Sequence, residues 1–211
     1  MNVITDFRLS LYSMKRNIIT GLAMCALAFT GMGAEVKQLP KPVTTGGMPL
    51  MEAIAARQTG RTYNPEHKVD DQTLSEILWV AWGMNERGTR TIPTARNKQN
   101  MELYVLTEDG TWRYEAANNT LVKVNDKNLI PLCNQQDFVT KAPLHLLYVA
   151  KEEGWGTAHV GSAYQNVYLY ATSKGMQTVI RGMTDRPALT RELELTDGKK
   201  AKLHQTLGYA E

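Results

Sequence analysis

Between Ala142 and Lys151 the chain reads APLHLLYVAK, a nearly unbroken apolar run. A strand with one wet face alternates polar and apolar residues, so a run that is apolar at both parities belongs at the centre of a sheet, covered on both faces. At 211 residues the chain can supply that cover from a single domain.

The covering elements are legible on either side. PLMEAIAAR opens with Pro49, suited to a first helical turn, and places Leu50, Ile54 and Arg57 at helical spacing, with an end expected near Gly60. VDDQTLSEILWVAWGM is a stronger amphipathic helix. Asp70 or Asp71 caps it, Leu74, Ile77, Leu78, Ala81 and Trp82 form its stripe, and Gly83 stops it. MELYVLT, TWRYEA and TLVKV are strands separated by the turn pairs Asp109-Gly110 and Asn118-Asn119, which predicts an antiparallel meander. A helical stretch is expected around Asn128 to Phe138. TAHVGSAYQNVYLYATSKG forms a second long helix stopped by Gly175, MQTVIRGMTD a strand running into a glycine turn, and RPALTRELEL a short helix. Helices alternate irregularly with hairpin-connected strands, so the expected class is α+β rather than a doubly wound parallel sheet.

Residues 1–34 carry the pattern of a secretory signal peptide: KRN after Met14, the apolar stretch Ile18 to Phe29, then the small-residue zone TGMGA. Met14 stands as an alternative start. The apolar stretch falls short of the roughly 20 residues a bilayer span needs, and export to the periplasm or cell envelope is the expectation, with a retained N-terminal anchor as its competitor. LAMC at Cys25 fits a lipid-attachment box poorly, because Met24 occupies a small-residue position. Residues 35–48, with LPKPVTTGG, read as an extended linker, and residues 49–211 as the folded domain.

The formal charge is +3, and the leader holds Arg8, Lys15 and Arg16 against Asp6. Its removal leaves a nearly neutral chain, which gives no basis for nucleic-acid binding. It also leaves Cys133 as the only cysteine. No internal disulfide or zinc-ligand spacing is then available, and Cys133 is expected to be a small buried hydrophobe. Neither a G-x-S-x-G elbow nor a phosphate-binding glycine loop is present.

Three loops remain as candidate chemistry: Arg57, Thr59 and Arg61 in ARQTGR; Arg90 to Asn100; and Arg181 with Gly182. Guanidiniums bind phosphate by paired, charge-assisted hydrogen bonds, and a hydroxyl adds a donor. On residue chemistry alone the three loops could hold a phosphorylated cofactor, or their arginines could be solvated or paired with surface acids.

The ordered segments RQTGR, LSEILWVAWGMN, PTARNKQN before ELYV, APLHLLYVA, AYQNVYLYATSKGM, VIRGM and the terminal LGY together resemble the nitroreductase family of FMN-dependent oxidoreductases, most nearly its thiazoline/oxazoline dehydrogenase branch. The resemblance covers Pro49 to Tyr209. It implies a sandwich with a central, largely antiparallel sheet flanked by helices, and an intertwined homodimer with two FMN molecules at its interface. By that resemblance Arg57 and Thr59, with Gln58 between them, take the phosphate end of the flavin, and Arg61 reaches its pyrimidine end. There a cation would stabilise the anionic reduced ring. Pro93, Thr94, Asn97 and Gln99 match the loop whose asparagine bonds the ring edge. Gly182 matches the glycine turn beside flavin N5, and Arg181 stands where an acid is common. The chain ends at LGYAE, where relatives commonly carry a basic tail, so Arg57 would draw help from Arg96, Lys98 or an arginine of a second copy.

The implied activity is two-electron transfer in ping-pong order between a small-molecule donor, NAD(P)H being the usual one, and an acceptor. No side chain is required as the catalytic group. Trp112, Trp155 and Tyr164 could line the flavin face, although core or dimer-contact roles suit them better. A non-catalytic flavin- or anion-binding module and a structural envelope protein stay open as alternatives on the same fold.

Overall fold

A computed structural model describes residues 33–210, so the expected signal segment lies outside the described residues apart from its last two. Strand β1 (Val36–Gln38) precedes helices α1 (Leu50–Ala56) and α2 (Asp71–Trp82). The meander β2 (Met101–Thr107), β3 (Gly110–Glu115) and β4 (Thr120–Asn125) leads into two 3-10 turns, Ile130–Cys133 and Asp137–Lys141. Then come β5 (Leu144–Lys151), α3 (Gly156–Ser173), β6 (Met176–Arg181), α4 (Arg186–Glu192) and β7 (Lys199–Tyr209). The seven strands form one sheet in the order β1-β4-β3-β2-β5-β7-β6, with every pairing antiparallel. The α+β architecture is the expected one.

β5 lies between β2 and β7 and is covered on both faces. Leu146, Tyr148 and Ala150 join a core with Ile77, Leu78 and Trp82 of α2 and Val160, Ala163 and Val167 of α3. The opposite parity, Leu147 and Val149, packs with Tyr104, Leu106, Leu129, Cys133 and Leu189. Asp70 caps α2 by accepting from the Thr73 amide at 2.7 Å, an interaction worth about 1 kcal/mol. Glu76 ties the two long helices together, accepting from Tyr170 Oη at 2.7 Å and pairing with Lys174 at 3.0 Å. Burial opposes its charge, yet the Tyr170 and Gln72 hydrogen bonds and the Lys174 cation hold its carboxyl below the usual range.

Three elements differ from the sequence reading. The expected linker begins with β1, which pairs with β4 and leads to the buried Leu39. The helix expected around Asn128 to Phe138 is instead the two 3-10 turns, because Pro131 and the polar run Asn134 to Asp137 supply no apolar periodicity. β7 was not foreseen. It buries Lys202, His204, Gln205 and Thr206, and polar residues at both parities conceal a near-central strand. Lys202 reaches out to pair with the exposed Glu152, whereas Gln205 has internal partners: Tyr148 Oη donates to Gln205 Oε1 at 2.6 Å, and Gln205 Nε2 donates to Thr178 Oγ1 at 3.0 Å.

Gly208, in the terminal LGY, is a glycine because of close approach. A Cβ there would lie 2.5 Å from Pro143 Cδ and 3.0 Å from Tyr63 Cδ1, both in rigid rings. Gly208→Ala is expected to lower unfolding free energy by about 2 kcal/mol, measured by urea denaturation; an unchanged midpoint would contradict this packing.

Candidate functional site

The ARQTGR segment wraps the open edge of β6. α1 ends at Ala56, earlier than expected, and Arg57 is its C-cap. The chain then turns to the sheet, where the Gly60 amide donates to the Thr178 carbonyl at 3.1 Å. A Cβ on Gly60 would overlap the end of the Gln177 side chain, which would have to swing aside to admit it. The half-buried Arg57 sets its guanidinium carbon 5.4 Å from the centroid of the Tyr168 ring on α3, and Thr59 Oγ1 is 3.3 Å from Tyr168 Oη. Arg61 turns to Phe138, at 5.8 Å. Gln58, Thr59 and Arg61 are exposed. Beyond them Tyr63 anchors the segment, its hydroxyl 2.8 Å from Thr206 Oγ1 and pushed up to about 12 by burial.

Arg181 closes β6 and brings the second loop to this edge. Its guanidinium carbon lies 5.4 Å from the same Phe138 ring that Arg61 approaches. The side chain is buried and points inward, donating to Gln136 Oε1, the Cys133 carbonyl and the Met183 carbonyl. Gly182 follows and is exposed, its carbonyl accepting from the Thr184 amide at 3.0 Å.

The third loop sits elsewhere on the same chain. Arg90 Nε donates to Gln99 Oε1 at 2.9 Å, Gln99 Nε2 donates to Asn97 Oδ1 at 2.9 Å, and the Arg90 guanidinium lies 4.2 Å over the Trp82 ring. Arg96, Asn97 and Gln99 all have positive φ, at 52°, 53° and 45°. The Ala95 amide donates to His159 Nε2 at 2.9 Å, so His159 carries its proton on Nδ1 and donates to Asn100 Oδ1 at 2.6 Å. Asn100 Nδ2 in turn donates to the Glu153 and Gly154 carbonyls. Pro93 is exposed and Thr94 half-buried. His159 and Tyr168 are nine residues apart on α3, about 14 Å along its axis and half a turn around it. One chain therefore joins Arg57 to Arg61 with Arg181 and Gly182, and sets the Pro93 to Gln99 loop on the opposite side of that helix.

The electrostatics favour an anion at the β6 edge. Among the described residues, Arg57, Arg61 and Arg181 have no carboxylate within ion-pair distance, whereas surface lysines such as Lys37, Lys127 and Lys199 are paired at 2.6 Å. Thr184 Oγ1, two residues past Gly182, is buried without a hydrogen-bond partner. The Arg57 and Arg61 guanidiniums, the hydroxyl of exposed Thr59 and the exposed Gly182 turn, whose carbonyl also accepts from Arg186 Nη2 at 3.2 Å, fit a phosphorylated flavin. Two open grooves of about 620 and 660 Å³ are lined by other residues.

Tyr164 is edge-on to Tyr168 at 6.3 Å and borders this edge, Trp155 is exposed just before α3, and Trp112 packs under Lys123 on β3. Cys133 is buried, its thiol pushed up to about 12 by that burial, consistent with a small hydrophobe. Tyr168 and His204 escaped the sequence reading, as did the loop-pinning role of His159. The i, i+4 pair of Tyr164 and Tyr168 offered a faint signal; the histidines offered none.

Comparison with known proteins agrees with the fold. The family described as the nitroreductase family matches residues 54–209, and the chain belongs to it. Its members are oxidoreductases that generally bind flavin. A protein of Methanocaldococcus jannaschii named as a nitroreductase is 34% identical over 131 residues, covering 52% of this chain and 66% of that protein, just under two thirds of its length. A crystal structure from Ralstonia eutropha JMP134, also named as a nitroreductase, is 32% identical with a TM-score of 0.77, covering 83% of this chain and 90% of that one. A chain of the E. coli microcin synthetase complex shares the fold at 14% identity and a TM-score of 0.61, covering 83% and 79%.

The buried histidines behind Arg181 generate a pH prediction. Burial, aided by the Arg181 charge, pushes His145 down to about 4, and His204 is lowered in the same direction by burial and by His145. The folded state holds both neutral while the unfolded chain binds a proton near pH 6.5. Their stabilisation is therefore complete above pH 6.5 and lost as pH falls towards 4, with His145 contributing about 3 kcal/mol. Urea midpoints should fall through that window in the wild type and fall less in His145→Gln; identical profiles would contradict the assignment.

Proposed function

We propose that the protein is an exported FMN-dependent oxidoreductase that moves two electrons, as hydride, between small molecules. The observation that carries the reading is the pair Arg57 and Arg61 beside β6, without a carboxylate partner among the described residues and flanking the exposed Thr59, with the exposed Gly182 turn at the end of the strand. Arg57 and Thr59 would hold the phosphate, Arg61 the anionic end of the ring, and Gly182 would leave its backbone N–H uncovered. When bound, the flavin supplies hydride chemistry in ping-pong order, with NAD(P)H as a suitable donor and a second small molecule as acceptor. The chain's own work is to bind, orient and electrostatically tune that group.

Two features support a homodimer with shared sites. Leu50, Met51 and Ile54 of α1 are 63, 75 and 49% exposed, an apolar strip in want of cover. The Pro93 to Gln99 loop also lies on the far side of α3 from Arg57, so a second copy is the source of Asn97 and Gln99 for each site. The apolar stretch Ile18 to Phe29 supports export. Among the described residues no helix is long and apolar enough to cross a membrane. Placement in the thiazoline/oxazoline dehydrogenase branch rests on the motif order in the sequence.

Native protein should be yellow, with an oxidised-flavin spectrum bleached by NAD(P)H or dithionite; colourless protein that refuses FMN would contradict the reading. Flavin binding without turnover would select the binding-module alternative. Arg57→Ala is expected to weaken FMN binding by about 2 kcal/mol, roughly thirtyfold, while stability stays within about 0.5 kcal/mol. Unchanged affinity would remove Arg57 from the site.

A further inference from the structure

Arg181 is held differently from Arg57 and Arg61. It is 5% exposed, and its guanidinium is surrounded by neutral acceptors: Gln136 Oε1 at 2.9 Å from Nε, the Cys133 carbonyl at 2.7 Å from Nη1 and the Met183 carbonyl at 3.2 Å from Nη2. A fourth contact joins Nη1 to His204 Nδ1 at 3.1 Å. Burying an ion without a counter-ion is among the costliest arrangements a fold can keep. A glutamine or methionine could meet the packing or part of the hydrogen bonding here, so the feature that the arrangement preserves is the charge.

The neighbours of Arg181 are polarised by it. A guanidinium has no acceptor, so His204 Nδ1 must accept and the His204 proton sits on Nε2. That Nε2 lies 3.2 Å from His145 Nδ1, which accepts in turn and leaves the His145 proton on its own Nε2. The two rings are stacked with centroids 5.3 Å apart. The donors all run outward from the arginine, from β6 through β7 to β5, where His145 reaches the groove of about 620 Å³.

We propose that Arg181 serves the flavin site as an internal cation that acts through space, and that His204, backed by His145, is the positioning residue that aims it. The inference rests on the flavin reading above. Arg181 and Arg61 both flank Phe138, and the exposed Gly182 is the next residue in the chain. With most of its N–H donors spent inward, Arg181 leaves direct bonds to Arg57, Thr59 and Arg61. Its charge favours whichever redox state of the ligand is more anionic.

Wild type, Arg181→Met, Arg181→Lys, His204→Leu and His204→Gln are titrated with FMN, and the midpoint potential of the bound flavin is measured against a reference dye. Arg181→Met is expected to lower affinity for reduced relative to oxidised flavin about tenfold, a potential drop of about 30 mV. Arg181→Lys, which keeps the charge, should hold the potential. His204→Leu should lower it part of the way, and His204→Gln, which keeps an acceptor and a donor, should restore it. A purely structural role would move the melting temperature and leave the potential unchanged. Wild-type potential in flavin-bound Arg181→Met overturns the inference and spares the flavin reading; no FMN uptake by the wild type overturns both. Should Arg181→Met fail to fold, a wild-type potential in His204→Leu overturns the positioning role.

Discussion

Burial of β5 on both faces forces the chain into two layers about one sheet, since Leu146, Tyr148 and Ala150 need α2 and α3 while Leu147 and Val149 need the Ile130–Cys133 turn and α4. Such a strand cannot lie at an edge. β2 and β7 flank it, β6 is left as an open edge, and the unpaired side of β6 is where the ARQTGR segment docks. The site is thus a consequence of the sheet order. A segment hydrogen-bonded to an edge strand can carry side chains towards both faces, and Arg57 and Arg61 are carried to Tyr168 and Phe138 in that way.

The same geometry explains why the site is divided. α3 packs its interior face on the sheet and turns one flank to α2, through Asn166 Nδ2 donating to the Val80 carbonyl at 2.9 Å, and the other to the β6 edge through Tyr168. The loop that follows α2 inherits the first flank and is pinned there by His159. Arg57 and Thr59 occupy the second. A cup that uses both sets is most simply built by two copies related by a twofold axis, each lending its loop to the other, and the exposed apolar strip on α1 is a surface suited to such a contact.

Much of the fold was legible because its signals are local. Asp70 caps α2 as its side-chain chemistry dictates, α2 ends at Gly83 although in extended rather than left-handed backbone, and the turn pairs before β3 and β4 set the meander. β7 was not legible, because its burial is satisfied by distant partners such as Tyr148 and Thr178 rather than by apolar side chains. At the site, ARQTGR was readable as a motif, and the structure shows its glycine docked on β6 against Gln177. The inward turn of Arg181 was hidden for the same reason as β7. Its acceptors Gln136, Cys133 and His204 lie far away in sequence.

The central claim, a flavin cup built from Arg57 of one copy and Asn97 of another, is tested most directly by mixing variants. Arg57→Ala and Asn97→Ala proteins, each impaired in FMN binding, are unfolded together in equal amounts, refolded and titrated with FMN. Random re-pairing should restore wild-type affinity to about a quarter of the sites, because each mixed dimer then contains one intact cup and one doubly impaired. No recovery in refolded mixtures, with the separately refolded wild type binding fully, would contradict a shared site.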